Sequence, residues 1–437
     1  MKLAIAGTGY VGLVTGVCLA DRGHTVTCVE PDTQKLALLQ TGVCPIFEAD
    51  LASLMQRCES RLSFTDAYEN AYRDADAVFI CVGTPERGDG FANLKYVYDA
   101  AAQIARSAAR DCTVVMKSTV PMGTCDKLAR FFSFHAKDGV KIHVASNPEF
   151  LAQGTAVRDF QTERLVFGVT SRAAKDVLQA VYAGFSQPII TTDLQTAEMI
   201  KYASNNFLAL KISFINEIAN ICELVGADVE TVSYGMGLDK RIGDKFLRAG
   251  IGYGGSCFPK DTHALHWLAK YHDYEIKTVK AAIEVNENQR IRLIKKIRKY
   301  YRNLEGLKCA VLGLTFKPGT DDMRDAPSVM NLNILLEEGA AVSVWDPVGL
   351  EKVKSLYGDK LTYCPSIDAA VTDADICLIL TEWPEVKAYD PARFAQLMKN
   401  AVVLDGRNCY DVAVMESARI TYDSIGRKCV TPAAVSS

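Results

Sequence analysis

The chain has 437 residues, 49% of them hydrophobic and 23% charged, with a formal net charge of −3. That length fits two or three domains of about 100–200 residues each. The slight acidity excludes the broad basic face that nucleic-acid binding needs, and no apolar run is long enough to span a membrane.

Lys2-Leu3-Ala4-Ile5-Ala6 reads as a buried strand, followed by Gly7-Thr8-Gly9-Tyr10-Val11-Gly12, a helix to about Leu19 and a second strand, Thr25 to Val29, that ends on Glu30. These glycines interrupt what could otherwise pass for a secretion signal. In the order strand, turn, helix, strand they form a dinucleotide fingerprint: Gly7 makes the turn, Gly9 admits the pyrophosphate and Gly12 packs helix on strand. Glu30 sits where an acid binds the ribose hydroxyls and repels a 2′-phosphate, which favours NAD over NADP. Apolar strands at 77–82, 113–117 and 142–145 end on Gly83-Thr84-Pro85, Ser118-Thr119-Val120-Pro121 and Asn147-Pro148-Glu149-Phe150. Alternating strands and helices imply a parallel sheet, with ligands beyond the carboxyl ends of its strands. Thr84, Thr119 and Glu149 fall there, although each could equally be a turn or cap residue.

From 193 to about 224 the pattern is helical and amphipathic, with Lys201 and Asn205 on one face. It is too apolar for one domain's surface, so a homodimer built on it is expected. A further helical run extends from 274 to about 303, and its basic end, 290–302, reads as a solvated face. Gly306 opens a second α/β unit with strands at 308–314, 341–345, 376–380 and 402–404. Its first turn lacks the full fingerprint, so no dinucleotide is assigned there. The residues after Thr431 are expected to fray. The fold class is therefore α/β, with two doubly wound Rossmann-like domains, 1–192 and 305–437, joined by a central helical dimerisation domain, 193–304.

Fourteen cysteines without a CxxC pair argue against structural zinc, and those in apolar runs suit a reducing, cytoplasmic setting. His263 and His266 share a helical face but lack a third ligand, so packing or capping is expected and no metal. Cys257 differs from the other thiols. It stands in Gly250-Ile251-Gly252-Tyr253-Gly254-Gly255-Ser256-Cys257-Phe258-Pro259-Lys260-Asp261, where glycines present the thiol, Lys260 favours thiolate and Asp261 can move protons. An NAD fold needs no nucleophile to oxidise an alcohol. It needs one to capture the aldehyde for a second oxidation, through a thiohemiacetal and a thioester, to an acid.

The segment from Gly252 to Asp261 resembles the nucleophile loop of the UDP-glucose/GDP-mannose dehydrogenases, and 246–250 is most similar to the UDP-glucose branch. The likeness extends to Ser118-Thr119-Val120, Asn147 to Leu151, Lys201 to Asn205, Phe316 to Arg324 and Thr381-Glu382-Trp383. It implies four-electron oxidation of UDP-glucose to UDP-glucuronate with two NAD per turnover. Cys257 would be the nucleophile, Lys201 and Asn205 the oxyanion donors, Asp261 with Thr119 the proton acceptor through water, and Glu149 the base for hydrolysis. The resemblance places Val11, Glu30, Lys35, Thr84, Thr119, Gln153, Lys260 and Arg324 near NAD. It places Glu149, Phe150, Leu151, Gln153, Lys201, Asn205, Phe246, Leu247, Arg248, Ala249, Gly250, Gly254 and Lys317 on the UDP-sugar, with Arg241 reaching in from a partner subunit. Gln153 departs from the family's usual glutamate and keeps hydrogen-bonding capacity without charge, so any shared base role falls on Glu149. Thr162-Glu163-Arg164 departs from the usual Pro-Asp-Arg but keeps the arginine. The same chemistry on GDP-mannose or a UDP-N-acetylhexosamine is the nearest alternative. A two-electron hydroxyacid dehydrogenase would have no use for Cys257, and a non-catalytic NAD-binding protein would have lost the reactive residues.

Overall fold

The computed structural model describes residues 1–431; the expected fraying after Thr431 falls outside them. The chain forms two compact units, one of Met1–Ser204 with Trp267–Asp273, the other of Asn205–His266 with Tyr274 onward. It is mixed α/β, with two mainly parallel sheets and a helical region between them in sequence.

The first unit holds an eight-stranded sheet. Its strands are β1 (Lys2–Ala6), β2 (Thr25–Val29), β3 (Leu62–Thr65), β4 (Ala77–Ile80), β5 (Cys112–Met116), β6 (Ile142–Ser146), β7 (Leu165–Val169) and β8 (Ile189–Thr192). Their order is β3-β2-β1-β4-β5-β6-β7-β8. The central strands are mainly apolar because helices cover both faces, and every residue of β4 and β5 is buried. The order reverses between β1 and β4, the switch point where α/β sheets bind ligands. One departure from the all-parallel expectation is β7, which runs antiparallel to β6. Most of the intervening chain is irregular loop, with one seven-residue helix, Ala156–Thr162.

The second unit repeats the winding with six parallel strands: β9 (Lys308–Leu312), β10 (Ala341–Trp345), β11 (Thr362–Tyr363), β12 (Ile376–Ile379), β13 (Val402–Asp405) and β14 (Thr421–Ser424), in the order β11-β10-β9-β12-β13-β14. The buried strand β7 and the short strands β3, β8, β11 and β14 were not anticipated. The four short ones are the sheet edges, where two to four residues leave little apolar run to read. The anticipated long helix is one 32-residue element, Leu194–Val225.

The basic run at 290–302 corrects its reading as a solvated face. The helix Lys277–Arg290 stops there and a short one, Arg292–Ile297, follows. Leu293, Ile294 and Ile297 pack into the core. Lys296, 2% exposed, reaches Glu223 at 2.8 Å and Asp423 at 2.6 Å. Its charge is held inside the unit between two acids, of which Glu223 also pairs with Arg292 at 2.5 Å and Asp423 with Lys299 at 3.3 Å.

Candidate active site

The fingerprint in the first unit has the geometry that its glycines require. Gly7 adopts φ +90°, and a Cβ on Gly12 would stand 2.0 Å from the Gly7 carbonyl oxygen. Side chains at these positions would close the turn that a pyrophosphate approaches, so the residues fit a dinucleotide. Glu30 immediately follows β2, accepts a hydrogen bond from the Thr8 hydroxyl and another from the Asp32 amide at 3.0 Å, and pairs with Lys35 at 3.0 Å. Burial alone would raise its carboxyl; these contacts outweigh burial and hold it below the usual range. Thr84, beyond β4, donates to the Thr119 carbonyl beyond β5 at 3.0 Å.

Beyond β6 lies the segment with Glu149. Its carboxylate accepts from the Leu151 amide at 2.6 Å and pairs with Lys201 at 3.0 Å. The two side chains are 6% and 4% exposed, so this is a buried ion pair. The Lys201 ammonium lies 5.4 Å from the Phe150 ring centre, and the Arg164 guanidinium lies 3.8 Å above that ring. Sequence reasoning missed what lies beneath. Asn147 is fully buried and takes hydrogen bonds from Lys117 at 3.0 Å and Tyr182 at 2.6 Å. Burial pushes the Lys117 ammonium down to about 8.

The second unit carries the thiol. Cys257 is exposed and immediately precedes the 14-residue helix Phe258–Tyr271; its carbonyl accepts from the Asp261 amide at 2.8 Å. The start of a helix favours an anion. Asp261 is 1% exposed, and its carboxylate accepts from Asn205 at 2.7 Å and Lys260 at 2.5 Å. The glycines are steric necessities: a Cβ on Gly254 would meet the Asp325 carbonyl oxygen at 2.2 Å, and Gly255, at φ +81°, faces the Phe316 ring. Three polar side chains absent from the sequence reading hold the loop. Asn216 accepts from the Gly250 amide and Asn286 from the Tyr253 amide, both at 2.8 Å, while Gln289 donates to the Gly250 carbonyl at 2.8 Å. The three-residue spacing of Asn286 and Gln289 on a helix was the available signal.

Arg324 lies beside this loop, its carbonyl accepting from Gly255 at 2.9 Å. Its guanidinium is held above its ordinary range chiefly by Asp322, at 2.6 Å. The Lys317 ammonium lies 5.6 Å from the Phe316 ring centre. Leu247 and Ala249 are buried, whereas Phe246 is exposed. Arg248 donates to the Arg407 carbonyl at 3.2 Å. Arg241 is exposed and turned to Asp239 at 2.6 Å. Among the described residues no group of three or more His, Cys, Asp or Glu could hold a metal ion, and no helix is long and apolar enough to cross a membrane.

Comparison with known proteins agrees across the chain. Residues 1–186, 195–288 and 310–412 match, in turn, the models of the NAD binding, central and UDP binding domains of the UDP-glucose/GDP-mannose dehydrogenase family. A UDP-glucose 6-dehydrogenase of Bacillus subtilis (strain 168) is 46% identical over 435 residues, covering 99% of each chain. The solved structure of a UDP-glucose dehydrogenase from Pyrobaculum islandicum superimposes with a TM-score of 0.91 at 39% identity, covering 98% of each chain. A UDP-D-ManNAc dehydrogenase from Pyrococcus horikoshii superimposes at 0.86 with 27% identity, covering 98% of this chain and 99% of that one.

Proposed function

The chain belongs to the UDP-glucose/GDP-mannose dehydrogenase family, whose members are NAD-dependent dehydrogenases, and on that premise we propose that it oxidises the C6 alcohol of UDP-glucose to the carboxylate of UDP-glucuronate. The observation that carries the reading is the exposed Cys257 thiol at a helix start, one turn from the buried Asp261 carboxylate. NAD, held at the fingerprint turn and Glu30, would supply the hydride acceptor for each of the two oxidations. Asp261, through water with Thr119, takes the alcohol proton. Lys201 and Asn205 stabilise the oxyanion. The Cys257 thiolate adds to the C6 aldehyde, and loss of hydride from the resulting thiohemiacetal leaves a thioester. Glu149 draws a proton from water, which cleaves the thioester to carboxylate and free thiol. Glu30 and Lys35 hold the adenosine side of the cofactor, and Lys317 and Arg324 supply cations in an acidic protein. The three functional segments are 1–192, 193–304 and 305–437. UDP-glucose is favoured over an N-acetylated sugar by the higher identity to the UDP-glucose enzymes. Fourteen free cysteines suit a cytoplasmic location.

The test is a panel of nucleotide-sugars scored for NADH released per sugar consumed. Two NADH per UDP-glucose are expected, with acid as the product. One NADH with free aldehyde accumulating would sink the thioester route.

We also propose a homodimer. Phe207, Phe214 and Ile221 are exposed at seven-residue spacing on the helix Leu194–Val225, and Leu224, 85% exposed, extends the stripe. A second copy would cover it, and Arg241 would then reach the partner's site. Sedimentation should show a dimer, and Phe207→Glu with Phe214→Glu should shift it toward monomer. A parent protein that sediments as a monomer rejects the proposal.

A further inference from the structure

Residues 147–155 carry Glu149, Phe150, Leu151 and Gln153 without forming helix or strand. Such a segment keeps a defined path only where its backbone groups are tied down. Its first end rests on the buried Asn147. Its far end rests on Glu48, which lies 106 residues earlier and is itself on an irregular stretch. One Glu48 carboxylate oxygen accepts from the Gly154 amide at 2.6 Å and the other from the Ala156 amide at 2.7 Å. The first also accepts a short hydrogen bond from the Tyr10 hydroxyl, whose oxygen lies 3.2 Å from the Gly154 amide. Glu48 is 9% exposed. Both of its oxygens are thus committed, and neither amide could be left unmet without cost.

Tyr10 opens the helix Tyr10–Asp21 and lies between the second and third glycines of the fingerprint. Burial and the adjacent Glu48 carboxylate hold its phenol far above the usual range, so it stays protonated and donates. The carboxylate therefore joins two stretches with separate tasks: the turn that meets the cofactor and the loop that bears the base.

We propose that Glu48 is a positioning residue for the oxidation, tying the loop that carries Glu149 to the fingerprint helix through Tyr10. The proposal rests on Glu149 acting as the base for thioester hydrolysis. Its test uses Glu48→Ala and Tyr10→Phe in the full-length protein, with Glu149→Gln as reference. Tyr10→Phe leaves the carboxylate and both amide bonds in place, so it remains informative if Glu48→Ala folds poorly. The readouts are steady-state kcat and KM for UDP-glucose, and intact-protein mass after mixing with NAD and UDP-glucose. Losing one charge-assisted hydrogen bond should lower kcat of Tyr10→Phe by about 10-fold. Displacing the loop should lower that of Glu48→Ala by about 100-fold. In both, KM should change less than kcat, and an acyl adduct on Cys257 should build up, as is also expected of Glu149→Gln. A kcat within about twofold of the parent in both variants overturns the proposal, since misplacement costs far more. So does an adduct that forms in Glu149→Gln but in neither variant. If Glu149→Gln itself builds no adduct, the base assignment fails, and Glu48 is then judged on the split alone: lowered kcat at steady KM supports it, and raised KM at steady kcat overturns it.

Discussion

Replacing Cys257 with alanine is expected to lower UDP-glucuronate formation by at least about 10³-fold, as befits loss of a covalent nucleophile. The first oxidation asks for a base and a cation, both still present, so pre-steady-state mixing should release up to one NADH per site and then stall. No other thiol is placed to substitute. Burial pushes Cys112 up to about 11, and Cys18, Cys81 and Cys309 up to about 12, so they stay protonated at neutral pH. Cys429 is also exposed, but it lies 3.3 Å from the Tyr300 hydroxyl beside the buried Asp423 cluster, not at a helix start. Cys429→Ser should therefore leave the rate unchanged and serves as the control. Chromatography of the nucleotide-sugar product separates the outcomes. Undiminished acid from Cys257→Ala would remove the covalent route.

What could be read in advance follows from how local each constraint is. Gly7, Gly9 and Gly12 act within one turn, and the demands that fix them, a positive φ and a helix too close for a Cβ, leave a mark at fixed spacing. The crowding of glycine around Cys257 has the same origin: the backbone of Asp325 and the ring of Phe316 leave no room for a side chain. The support for these elements was not legible, because it comes from distant residues of ordinary type. Glu48 looks like any loop glutamate until the chain brings Gly154 and Ala156 to it. Asn286 and Gln289 look like the polar face of a helix, but they bind the Tyr253 and Gly250 backbone. Lys296 failed for a related reason. A basic run ordinarily means solvent, and only the arrival of Glu223 and Asp423 from other elements turns it inward. β7 was not read as a strand at all, and its reversal would leave no trace in composition even then, since a buried strand reads alike in either direction.

Lys201→Met is expected to act on rate and stability together, and the two effects can be separated. Loss of an oxyanion donor should lower kcat by about 10²–10³-fold. The stability effect comes from the partner. The Glu149 carboxylate is buried and pairs with Lys201 at 3.0 Å. Removing one member of a buried pair leaves an uncompensated charge, at a cost of about 3–5 kcal/mol, whereas exposed pairs are worth about 0–1 kcal/mol. Urea titration of Lys201→Met should therefore show a marked fall in midpoint. Adding Glu149→Gln removes the stranded charge, so the double variant should regain most of that stability while staying inactive. Because Glu149→Gln by itself blocks hydrolysis, the role of Lys201 is read from the first NADH released: a purely structural role predicts that this burst returns with the fold, and an oxyanion donor predicts that it does not. If Lys201→Met keeps the parent midpoint, the Glu149–Lys201 pair is more hydrated than its burial implies.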